Sequence, residues 1–148
     1  MPLVWVTGNA GVGRSAVCAL LKSRGELAVD ADRFGWQTSR AEVEALAARA
    51  HGELAFFCGS TENDEDLRDL FDLVVCLVVD DDTLRDRLLT RTSNSFGKHP
   101  EELAAALEAN EGAESACRRL GATIVVDGRL PLPDVADAIL AAAGRLVP

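Results

Sequence analysis

Tyrosine is missing from this sequence altogether, aromatic residues make up only 5% of it, and no apolar run is long. The longest runs, such as LVVCLVV at residues 73–79, fall far short of the roughly 20 residues that cross a bilayer, so no membrane partner is expected. Cations are outnumbered: 15 Lys and Arg face 24 Asp and Glu, a formal net charge of −9. Such a surface repels a nucleic-acid backbone, which argues against a nucleic-acid partner. The four cysteines (Cys18, Cys58, Cys76 and Cys117) include no Cys-x-x-Cys pair. Three sit in apolar patterns, where a free thiol behaves as a small hydrophobe; metal and disulfide roles are not expected, and a reduced, cytoplasmic setting is. No basic segment precedes a hydrophobic stretch in residues 1–7, so no secretory signal is expected.

What is present suits one domain. A chain of 148 residues with 48% apolar content can bury a single core. Apolar runs at residues 3–7, 26–30, 53–58, 73–79 and 122–127 read as five strands. Helical spacing separates them. Val17, Leu20 and Leu21 mark a helix that stops at Gly25. Ser39 and Glu42 form a capping box ahead of Val43, Leu46, Ala47 and Ala50. Residues 64–70 form a short helix, and another covers residues 83–91 around Leu84 and Leu88. A longer one begins at Pro100 with Leu103, Leu107, Asn110, Glu114 and Cys117 along one side and Gly112 as a weak point. A last helix turns Val135, Ala138, Ile139 and Ala142 inward. Strands alternating with helices predict an α/β fold with a five-stranded parallel sheet covered on both faces, in three layers.

Between the first strand and the first helix runs VTGNAGVGRSAV, residues 6–17. Gly8, Gly11 and Gly13, followed by Arg14 and Ser15, match the Walker A pattern G-x-x-x-x-G-K-[ST] at every defined position except the lysine. Glycines let phosphate oxygens approach the backbone, and the helix beginning near Gly13 aims N–H groups and its positive end at an anion. Residues Gly8, Asn9, Ala10, Gly11, Val12, Gly13, Arg14, Ser15 and Ala16 are therefore candidate nucleotide contacts, with the Ser15 hydroxyl a candidate ligand for Mg²⁺. A glycine-rich turn that binds nothing is the alternative. The short-chain dehydrogenase pattern fails, because its glycine gap is one residue longer and it needs the tyrosine this chain lacks. A guanine-reading Asn-Lys-x-Asp sequence is absent too. Arginine in place of lysine keeps the charge and can grip two phosphate oxygens, but its bulkier fork follows a transferring phosphoryl group less well.

The glycine loop, together with VDADRFGW (residues 29–36), RDRLLTRTSNSFGK (residues 85–98) and VDGRLPL (residues 126–132), resembles the small P-loop kinases. That group includes shikimate kinase, nucleoside monophosphate kinases and dephospho-CoA kinase. The resemblance implies ATP and Mg²⁺ as cofactors and a phosphoryl acceptor beyond the second strand. Asp30 and Asp32 match an Asp-x-Asp arrangement there, with Asp32 as the candidate base or orienting carboxylate; ending a strand and shaping a turn is their alternative use. Phe34 and Trp36 would wall the acceptor, and Gly59 and Ser60 would contact it from the end of the third strand. A short lid at about residues 92–99 would bring Arg87, Arg91 and Lys98 to the transferred phosphoryl group, hinging near Gly97. Arg85 is read instead as pairing on a solvated helix face. Arg129 would lie beside the base, unless it belongs to an ordinary turn. Asp80 suits capping the next helix. The resemblance thus implies an ATP-dependent phosphotransferase acting on a small acceptor. Arg14 leaves a second reading open: a nucleotide-binding module with little or no turnover.

Overall fold

A computed structural model describes residues 2–9, 11–31, 38–92 and 96–145 of the chain. Five strands form one parallel sheet in the order β2-β3-β1-β4-β5. They are β1 (Leu3–Gly8), β2 (Leu27–Asp30), β3 (Ala55–Cys58), β4 (Leu73–Val78) and β5 (Ile124–Asp127). β1 sits in the middle, with Val4 opposite Phe56 on one side and Leu73 on the other. Parallel strands need crossovers, and helices supply them: α1 (Arg14–Ser23), α2 (Arg40–Arg49), α3 (Asp64–Leu67), α4 (Asp81–Thr90), α5 (Pro100–Glu111), α6 (Ala113–Arg119) and α7 (Leu132–Gly144).

Alternation along β1 sorts the core into two halves. Val4 and Val6 face a layer carrying Val17 and Leu21 of α1, Leu84 and Leu88 of α4, and Ile139 of α7. Leu3 and Trp5 face the opposite layer, with Val43 and Leu46 of α2, Leu67 of α3 and Cys117 of α6. Trp5 is wholly buried as the sequence suggests, its ring 4.6 Å from that of Phe71 and 5.8 Å from that of Phe57. Its indole N–H donates to the Gly59 carbonyl at 2.9 Å, so the largest core side chain also pins the end of β3.

Three expectations change. The helix expected to run on from Pro100 breaks at Gly112, which ends α5 and begins α6. Glycine costs about 1 kcal/mol in a helix interior, and here it marks the joint. Beyond it Glu114 turns outward and pairs with Arg118 at 3.4 Å, while Cys117 turns to the sheet. α4 starts at Asp81, because Asp80 accepts the Thr83 backbone N–H at 3.3 Å and caps it. The third change concerns the cysteines. Cys76 of β4 and Cys117 of α6 form a disulfide, with their Cα atoms 6.0 Å apart. The pair is 41 residues apart in sequence and meets only because α6 lies across β4. Cys18 and Cys58 stay outside any disulfide and are buried; a hydrogen bond with Cys18 and burial together raise the Cys58 thiol well above its ordinary value.

The capping box opening α2 is formed in full: the Ser39 hydroxyl accepts from the Glu42 N–H at 3.2 Å, and the Glu42 carboxylate accepts from the Ser39 N–H at 3.0 Å. Ser39→Ala is expected to cost about 1 kcal/mol, read as a lower urea midpoint with an unchanged slope. An unshifted midpoint would show that the cap contributes nothing.

Candidate functional site

The loop between β1 and α1 takes its shape from glycines that no other residue replaces. At Gly8 (φ 148°) a Cβ would lie 2.6 Å from the Leu77 carbonyl oxygen of β4. At Gly11 (φ 88°) it would strike the Leu84 side chain at 2.7 Å. Val12 plugs the loop into the core at 2% exposure. Gly13 (φ 105°) is the N-cap of α1, and no side chain caps that helix. The first-turn N–H groups therefore face outward with the helix dipole, equivalent to about +0.5 charge, behind them. Ser15 and Ala16 are exposed on that same turn.

Three side chains lace this loop to its surroundings. Arg14, the first residue of α1, sends its guanidinium to the Ser60 hydroxyl beyond β3 at 2.6 Å. Ser60 in turn reaches the Gly8 carbonyl and the Thr7 hydroxyl, each at 3.3 Å. Asn9 donates to the Ala106 carbonyl of α5 at 2.9 Å and to the Asn110 side chain at 3.5 Å. Asn110 itself donates to the Val79 carbonyl at 3.1 Å and to Asp81 at 2.8 Å. From the other side Arg87 donates to the Val12 carbonyl at 3.2 Å and to the Gly128 carbonyl at 2.7 Å. Its guanidinium lies against Gly13, 3.9 Å from where a Cβ would stand. Arg87 thus clamps the loop to the turn after β5.

Beside the loop opens a cleft of about 320 Å³, floored by Thr7, Gly8, Asn9 and Ser60 and flanked by Asp64, Glu65 and Arg119. Sequence reasoning found Ser60 but missed Thr7 and the flanking charges, which come from α3 and α6 and show no motif. Asp64 is partly committed, since it accepts from the Thr61 N–H and hydroxyl at 2.8 and 2.9 Å. Gly59 borders Ser60, but both its backbone groups serve the fold: its N–H donates to Val6 at 2.8 Å and its carbonyl accepts from Trp5. Asp30 ends β2 opposite Cys58. Ala10, Asp32, Phe34 and Trp36 lie outside the described residues.

The residues expected in the lid face the chain's own carbonyls. Arg91 donates to Phe96 at 2.8 Å and Lys98 to Leu89 at 2.9 Å. Gly97 (φ 91°) is buried against Leu88, 2.9 Å from a built Cβ. Arg85 pairs with Asp82 at 3.2 Å, as expected of a solvated face. Arg129 grips Asp127 through two nitrogens, at 3.1 and 3.0 Å, and lies 3.9 Å from Asp80. These contacts raise the Arg129 pKa; hydrogen bonds from Arg129 hold the Asp127 carboxyl below its usual range, and those from Thr83 do the same for Asp80. Among the described residues no group of three or more His, Cys, Asp or Glu is gathered to hold a metal, and no helix is long and apolar enough to cross a membrane.

Sheet order, glycine loop and uncapped helix together define the P-loop architecture. Solved structures of small P-loop kinases share this fold. An unliganded sugar kinase from Janibacter sp. superposes with TM-score 0.63 at 19% identity, over 95% of this chain and 93% of that one. Shikimate kinase from Acinetobacter baumannii, in complex with shikimate, gives 0.64 at 15% identity over 99% and 95%. Deoxyadenosine kinase from M. mycoides, with bound dATP, gives 0.62 at 16% identity over 97% and 100%. The chain has the fold of these phosphotransferases. Its sequence matches no protein-family model and no curated protein.

Two outcomes follow from the contacts. Arg87→Met strips a charged donor from two carbonyls and should cost about 1–3 kcal/mol in denaturant unfolding, with faster amide exchange at residues 11–16 and 128–130. Exchange rising elsewhere but not there would refute the clamp. The lowered carboxyls set a pH dependence. The stability they lend is complete above the unfolded carboxylate value of about 3.9 and is lost as pH falls through their lower folded values. Asp127→Asn should therefore flatten the acid limb of the stability curve, and a limb parallel to that of the parent protein would contradict this.

Proposed function

We propose that this chain binds a magnesium–nucleoside triphosphate, ATP in the first instance, on residues 8–15 and transfers its terminal phosphoryl group to a small acceptor. One observation carries the reading: the uncapped start of α1 and the cleft share a border, and Arg14 crosses it to Ser60 at 2.6 Å. An anion held by the loop and a second molecule in the cleft would meet at that guanidinium. The solved neighbours, a sugar kinase, a shikimate kinase and a deoxyadenosine kinase, support the reading.

The residues suit the group. Positive-φ glycines and a helix start that no side chain caps form an anion cradle. Mg²⁺ on a nucleotide keeps several waters and asks little of the protein, so the exposed Ser15 hydroxyl suffices as its protein ligand. The bound nucleotide supplies the phosphoryl group. Arg14 and Arg87 flank the cradle and hold positive charge beside it, Arg14 on the acceptor side. Arg91 and Lys98 are the lid cations that would add to it on closure, and Arg129 lies where the base would pack. Ser60 and Thr7 offer hydroxyls to the acceptor, with Asp30 and Gly59 behind the same edge. Asp32 keeps the part the sequence assigns it, taking the acceptor's proton, with Phe34 and Trp36 as the apolar wall. We assign the chain as one domain acting in the cytoplasm, where ATP is plentiful.

A second reading has its own support, since the same Arg14–Ser60 bond fixes the guanidinium at the cleft edge. An arginine held there would anchor phosphates without following a transfer, which makes a nucleotide-binding module. Calorimetry with ATP and Mg²⁺ tests binding, and ADP release over a panel of small hydroxylated acceptors tests turnover. Ser15→Ala should weaken magnesium-dependent affinity about tenfold, equivalent to ~1.4 kcal/mol. Binding without ADP release, with turnover gained in Arg14→Lys, would establish the module. No affinity for ATP, GTP or pyrophosphate would sink both readings.

A further inference from the structure

The wall of the cleft opposite the loop is α6, a helix of seven residues in which Cys117 is the buried residue. Ala113, Ala116, Cys117 and Arg119 line the cleft. Such a short helix has little propensity to stand alone and depends on its contacts for its place. It packs against β4 and β1, and two bonds add to that packing. At its far end the Arg68 guanidinium donates to the Leu120 carbonyl at 2.6 Å. In its middle the Cys76–Cys117 bond ties it to β4. Its near end is the Gly112 joint, where a Cβ would meet nothing within 4 Å.

We infer that the Cys76–Cys117 bond is a redox-operated clasp on the acceptor wall: closed, it fixes α6 and the shape of the cleft; opened by a dithiol, it leaves α6 held by Arg68 and by its packing on the sheet, and looser about the Gly112 joint. The geometry sets the order of events. Cys117 is 6% exposed and borders the cleft, whereas Cys76 is wholly buried. An incoming thiolate of the dithiol therefore attacks the Cys117 sulfur. The protein S–S bond breaks, and Cys76 departs as thiolate and takes up a proton, with the Leu77 carbonyl oxygen 3.8 Å away as its acceptor. The reductant's second thiol then displaces Cys117 as a thiol. One protein disulfide and one dithiol become two protein thiols and one reductant disulfide. In a reducing compartment a disulfide serves as a transient, redox-sensing device rather than a permanent staple. Cys18 and Cys58, buried together away from the cleft, stay thiols throughout and give an internal comparison.

That the cleft receives an acceptor rests on the function proposed above; the clasp is tested without an acceptor. The full chain is held in air or in dithiothreitol, then denatured and alkylated. Mass should show two modified cysteines in air and four after reduction. Amide exchange at residues 113–121 should quicken at least tenfold on reduction, while residues 3–8 hold their rates. Cys18→Ala should keep this response, and Cys117→Ser should exchange fast with or without reductant. Four alkylated cysteines in air, or equal exchange at residues 113–121 in both samples, would overturn the clasp, and the parent protein decides this even if Cys117→Ser fails to fold. ATP affinity measured on the same samples separates the two claims: its absence removes the phosphate-loop reading and leaves the thiol and exchange results standing.

Discussion

β1 is covered on both faces, so every residue that leaves its C-terminal end must do so between neighbouring backbones. That close passage governs the site. Gly8 slips past the Leu77 carbonyl where no Cβ has room, and the chain that emerges is steered by Gly11 against α4 and by Val12 into the core. The start of α1 is thereby delivered to the edge of the sheet with its N–H groups uncovered. A loop of this kind is not an ornament on the fold. Its shape is the shape of the packing beneath it.

Much of this was legible in the sequence, for physical reasons that differ by element. The strands announce themselves because a sheet buried on both faces admits only continuous apolar runs, as at residues 73–79. The glycine loop is legible because spacing alone states its backbone demands. Asp80 and Ser39 are legible because capping is local chemistry. What stayed hidden is nonlocal. Nothing near Cys76 announces Cys117, and Arg119 and Glu65 reach the cleft only through the placement of α6 and α3. The break at Gly112 was visible as a weak point, yet the turn of Glu114 outward depends on which face β4 claims.

Charge placement gives the acidic chain its local exceptions. Arg14 and Arg87 approach the loop from opposite sides, one through Ser60 and one through the Val12 and Gly128 carbonyls. Arg14 reaches a hydroxyl and Arg87 two backbone carbonyls, so both guanidinium groups are oriented toward the loop. Arg129 differs, being paired with Asp127 and close to Asp80. The loop is thus approached by two guanidinium groups near the cleft and the start of α1, and a paired Arg129 and Asp127 stand at the turn after β5.

The Asn9 amide, seated on Ala106 and Asn110, joins the loop to a helix that starts only after the segment following α4 has run its course. The joint holds while α5 keeps one angular setting against the loop. A slip of one residue within α5 would rotate it by about 100° and carry Asn110 away from both Asn9 and Asp81. The loop therefore depends on the phase of α5, fixed by one amide pair.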